Sequence, residues 1–90
     1  MESKTQIIIK VKGSTSPRAC ASSVAKHLKS GAKIKLMSIG VPSNYQAIKA
    51  LIILRGFLAS AALDLPQIKP SFVDVPIDGR VKSVVCWDIG

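Results

Sequence analysis

The sequence predicts an α+β domain in which one thin core is built from a sheet covered by helices. Three observations carry this. Residues 6–12 alternate apolar and polar side chains, the mark of a strand with one buried face. Residues 17–30 repeat their apolar side chains at helical spacing. Near the end, Asp78-Gly79 separates two apolar, β-prone stretches, a strong two-residue hairpin signal because both positions tolerate a positive φ.

Taken in order, residues 6–12 form β1. Ile7, Ile9 and Val11 point one way, while Lys10 and Lys12 point the other. Gly13-Ser14-Thr15-Ser16 breaks the alternation. Ser16 is a good N-cap and Pro17 suits a first helical turn, so α1 runs from residue 17 to about residue 30. Ala21, Val24, Ala25 and Leu28 share one stripe of it, and Arg18, Ser22, Lys26 and Lys29 another. Lys29 complements the helix dipole in the last turn, and Gly31 supplies the stop. Residues 33–39 form β2. Gly40-Val41-Pro42 breaks that strand, and Ser43 or Asn44 caps α2, which runs to about residue 58. Apolar side chains nearly encircle α2, predicting a central position in the core. Gly56 is a weak spot inside it or marks its last turn.

From Asp64 onward the pattern changes. Pro66, Pro70 and Pro76 exclude helix and place any strand at a sheet edge. Residues 72–77 form β3 and residues 81–87 form β4, joined at Asp78-Gly79. Phe57, Phe72 and Trp87 read as core. The order is β1-α1-β2-α2-β3-β4, with no internal repeat or linker, so residues 1–90 form a single domain.

A chain of 90 residues buries only about 60–65% of the surface its unfolded form exposes. A second copy often completes so thin a core, and a homodimer is expected. The chain carries 13 Lys and Arg against 5 Asp and Glu, a net charge of +8. Residues 1–59 hold ten of those cations and a single acid, Glu2. Such an asymmetry predicts one basic face. Its expected partner is nucleic acid, DNA or RNA, with an acidic partner protein as the alternative.

Topology places that face. Two strands joined by a helix run parallel through a right-handed crossover. The loops after β1 and β2 then lie at one sheet edge, and each feeds a helix N-terminus, which suits phosphate. The first loop region brings Lys12, Ser14, Ser16 and Arg18, with Lys10 in β1 just before it. The second brings Asn44 and, one turn later, Lys49. If β3 runs parallel to β1 and β2, the hairpin carries Arg80 and Lys82 to the same edge. These nine residues are the candidate nucleic-acid contacts. Tyr45 either stacks on a base or packs locally. With few aromatics, binding is expected to rest on phosphates, with little sequence preference.

Other classes fare worse. Cys20, Cys86 and His27 match no zinc spacing and are too few for a disulfide scaffold, so neither metal nor cofactor is expected. Cys20 at helical spacing reads as a packed thiol, and no paired carboxylates or nucleophile–base arrangement predicts an enzyme. The start, Met1-Glu2-Ser3-Lys4, lacks the pattern of a secretory leader. Lys49 and Arg55 interrupt the apolar stretch 47–63 before it reaches the roughly 20 residues a membrane span needs. The expected location is cytoplasmic or nuclear, or associated with a nucleoid.

Two motifs carry a family resemblance. Asn44-Tyr45-Gln46-Ala47-Ile48-Lys49-Ala50, followed by Ile53-Leu54-Arg55-Gly56-Phe57, resembles the second-helix signature of the stage V sporulation protein S family. Val73-Asp74-Val75-Pro76-Ile77-Asp78-Gly79 resembles that family's strand and turn before the last strand. The family is in turn similar to the Alba superfamily. The resemblance implies a two-layer sandwich, a mixed four-stranded sheet with both helices on one face, and a dimer. It also implies DNA or RNA binding through the first loop, the segment before the second helix and the final hairpin. Where Alba proteins carry a basic signature before the second helix, this chain has Gly40-Val41-Pro42-Ser43-Asn44, without arginine.

Overall fold

The computed structural model describes residues 5–90; the Met1–Lys4 start lies outside the described residues. The elements are β1 (Gln6–Val11), α1 (Pro17–Lys29), β2 (Lys33–Ser38), α2 (Gly40–Ser60), β3 (Ile68–Ile77) and β4 (Arg80–Ile89). The sheet has the strand order β1-β2-β4-β3. β1 and β2 pair in parallel, and β4 pairs antiparallel with both β2 and β3. β3 therefore runs in the direction of β1 and β2 and occupies an edge. That edge accommodates Pro70 and Pro76, which cannot donate to a ladder on both sides.

One face of the sheet meets both helices. Ile7, Ile9 and Val11 of β1, Ile34 and Leu36 of β2, and Trp87 and Ile89 of β4 pack with Cys20, Ala21, Val24 and Ala25 of α1 and Ala47, Ala50, Leu54 and Leu58 of α2. The alternation of β1 thus reads true: Ile7 and Ile9 are half-buried, Val11 is buried, and Lys10 is exposed. Alanines at the buried helix positions let the two helices lie close together and close to the sheet. The α1 boundaries follow from the cap. Ser16 is extended and its Oγ accepts from the Ala19 amide at 3.3 Å, and Pro17 opens the helix.

Three expectations need correction. The first is the start of α2. The helix begins at Gly40, not at Ser43 or Asn44, and its cap position, Ile39, offers no side-chain hydrogen bond. Gly40 adopts φ +82°, which turns the chain from strand to helix within one residue. Pro42 then falls in the first helical turn, where its missing N–H costs nothing. The helix also runs two residues further than expected, to Ser60. The second is its position. Only one side is buried; Val41, Tyr45, Ile48 and Ile52 lie on the outside, with Tyr45 60% exposed. Apolar residues encircle α2 because two of its sides are apolar, not because the core surrounds it. The third is Phe72, which is 78% exposed rather than core.

The last strands are longer than their sequence limits and behave differently along their length. Residues 85–89 of β4 pair with β2 on one side and β3 on the other, whereas residues 80–84 pair with β3 alone. The hairpin therefore projects past the end of β2 as a free two-stranded arm. Asp78 and Gly79 at its tip have φ +51° and +74°, as a two-residue turn of this hand requires.

Candidate nucleic-acid interface

The parallel pairing of β1 with β2, and the matching direction of β3, bring three segments to one end of the sheet. These are the turn after β1, the start of α2 and the tip of the β3-β4 arm. The turn after β1 is tightly organised. The Lys12 amide donates to Thr15 Oγ1 at 2.8 Å, and the Thr15 amide donates to the Lys12 carbonyl at 3.1 Å. Gln46, in the second turn of α2, reaches across and donates through Nε2 to the carbonyls of Gly13 and Thr15, each at 3.1 Å. Its Oε1 is buried without a partner. A Cβ added at Gly13 would lie 3.1 Å from the Cβ of Pro42, so the turn and the start of α2 all but touch. The two segments thus form one rigid unit rather than two independent loops.

The nine candidate residues are placed unequally. Lys10, Lys12 and Ser14 are exposed at or beside the end of β1, and Arg80 and Lys82 are exposed on the arm. Ser16 serves as the α1 cap. Arg18 is exposed but turns along the helices, its guanidinium 5.9 Å from the centre of the Phe57 ring. Lys49 places its ammonium 4.4 Å from the centre of the Tyr45 ring, so one face of that ring is already covered by a cation.

Asn44 turns inward. Its Oδ1 accepts from Ser38 Oγ at 2.5 Å, and Ser38 Oγ accepts in turn from Trp87 Nε1 at 3.2 Å. Ser38 is buried, so this chain ties β4, β2 and α2 together behind the basic edge. Among the described residues the one ion pair is Lys35 with Asp88, at 3.8 Å. Among the described residues no cation of the edge forms an ion pair, although Asp78 shares the tip of the arm with Arg80.

Sequence reasoning found the basic side chains but not what holds them. Gln46 was visible only as one letter of a motif, because its partners are carbonyls 31 and 33 residues away. The cysteines are buried and unpaired, and burial raises the pKa of the Cys20 thiol. Among the described residues no group of three His, Cys, Asp or Glu could hold a metal ion, and no helix is long and apolar enough to cross a membrane.

The element order, the mixed four-stranded sheet and the two helices on one face define a two-layer α+β sandwich of the Alba-like kind. The chain belongs to the stage V sporulation protein S family, whose family model matches residues 7–90.

Proposed function

We propose that this chain is a nucleic-acid-binding module that contacts DNA or RNA through phosphates and works as a homodimer. One observation carries the first part: the turn after β1, the start of α2 and the hairpin arm share one end of the sheet, and among the described residues their cations form no ion pair. Unpaired lysine and arginine at a common edge are suited to neutralising a row of phosphates. Phosphates position a protein without specifying sequence, and the aromatic nearest the edge, Tyr45, has one face occupied by Lys49. Binding of low sequence preference follows.

The homodimer is supported by apolar surface that nothing among the described residues covers. Val41, Tyr45, Ile48 and Ile52 form an exposed stripe on α2. Phe72, at the base of the arm, and Val81, on it, are exposed on the side of the sheet that bears the helices. Exposed apolar surface of this kind marks an interaction site.

A salt titration tests the binding. With about six phosphate contacts, log affinity for duplex DNA falls with log salt at a slope near −5. A flat salt response, or no binding to duplex or single strand at low salt, would sink the proposal.

A further inference from the structure

The face of the sheet that carries no helix is not flat. Pairing register puts Val84 and Cys86 on that face, yet each is only 1% exposed. The edge strands β1 and β3 are separated by two strands in the sheet, but residues from both line a single groove of about 450 Å³. Lys10 and Lys12 form one wall, Val75 and Ile77 the other, Met37, Ile39 and Val84 lie between, and Val11 of β1 and Ser43 of α2 complete the lining where the groove reaches the end of the sheet. The groove lies where β2 has ended and the β3-β4 arm continues beyond it.

Its chemistry is two-sided. The floor and one wall are aliphatic, and water gains little there. The other wall carries two ammonium groups, and no carboxylate is among the lining residues. Its volume lies within the range of small-molecule sites, where a few placed polar groups orient an otherwise apolar ligand. A nucleic-acid duplex is too wide and too polar to enter. A purely apolar ligand would leave the lysines unused.

We infer that this groove binds a small amphipathic anion: an aliphatic chain or ring carrying one carboxylate or phosphate. The apolar body lies against Met37, Ile39, Val75, Ile77 and Val84, and the acid meets Lys10 and Lys12. Both lysines also belong to the proposed phosphate-binding edge. A ligand in the groove therefore competes with nucleic acid, a consequence that rests on that proposal, whereas the groove itself does not.

The test is a titration of the full chain, followed by amide shifts in ¹H–¹⁵N spectra, with octanoate, octyl phosphate and octanol. Either anion is expected to shift residues 10–12, 39, 75–77 and 84, and octanol to bind about tenfold more weakly. The difference between octanoate and octyl phosphate identifies the preferred acid. Lys10→Met and Lys12→Met, which keep the aliphatic stems and sit on the surface, are expected to remove the preference for the anions. Ile77→Ser is expected to weaken all three ligands. Shifts confined to the outside of α2, equal affinity for octanoate and octanol, or no shifts at all would overturn the inference. Because the readout needs no nucleic acid, it stands even if the chain binds none. Displacement of labelled duplex by the preferred anion then tests the competition alone.

Discussion

Gln46 and Gly13, 33 positions apart in sequence, meet through a single 3.1 Å hydrogen bond from a side-chain amide to a backbone carbonyl. With the second bond to Thr15, it makes the turn after β1 a fixed extension of α2. The geometry of the basic edge is thus set from the helix that supplies few of its charges.

Replacing Gln46 by alanine is therefore expected to loosen the turn more than it weakens the fold. Each lost hydrogen bond is worth about 1 kcal/mol net. Removal of the buried, unpartnered Oε1 offsets part of that, since an orphaned polar atom carries its own desolvation cost. A stability loss of about 1 kcal/mol should appear in urea unfolding, with faster amide exchange at residues 13–15. Unchanged exchange in that turn would show that Gln46 does not hold it.

Neutralising Lys12, Arg80 or Lys82 singly is expected to weaken nucleic-acid binding similarly for all sequences. Each should lower the salt slope by about one unit. Lys26 and Lys29 lie exposed on α1, and their neutralisation should change little, because surface charges more than about 10 Å from a phosphate are screened at physiological salt. Filter binding at several salt concentrations reads this out, alongside melting curves that confirm the fold. A stronger effect at Lys26 and Lys29 would move the ligand from the edge to the first helix.

Assembly is expected to depend on Ile52 and Phe72. Both are exposed in one chain, so Ile52→Asp and Phe72→Asp should leave the isolated fold intact. Sedimentation at about 100 μM should give twice the chain mass for the parent chain and the single mass for the variants. A parent chain that sediments as a monomer would remove the dimer from the proposal.

Cys20 should resist thiol reagents while the protein is folded. Its burial favours the neutral thiol and raises its pKa above the ordinary 9.0, and the thiolate is the reactive form. The same shift has a sign in stability. The contribution is intact below pH 9.0 and is lost as pH rises toward the folded value, because the unfolded chain gives up the proton first. Rapid labelling at neutral pH without denaturant would contradict the burial.

Much of this architecture is local and so could be read along the chain. The alternation of Ile7, Ile9 and Val11, the Ser16-Pro17 start and the Asp78-Gly79 turn each act over a few residues, and each appears where expected. The start of α2 was missed because Gly40 and Pro42 signal a break in most settings, and only φ +82° at Gly40 turns them into a helix start. Phe72 and the outer side of α2 were misplaced for a different reason. A sequence shows that a residue is apolar, not whether its own fold covers it. The inward turn of Asn44 depends on Ser38 and Trp87, two elements that no spacing connects.

Gly13 and Pro42 meet where the starts of the two helices come together. Each helix start is anchored to its own strand, and the two strands are locked in parallel register. The gap between the starts is therefore set by how closely one backbone can approach one proline ring, and an added methyl carbon would sit 3.1 Å from it. An alanine at position 13 would force a wedge of a few tenths of an ångström between them while leaving every charge in place. The pitch at which the edge presents its cations is thus gauged by a missing methyl group.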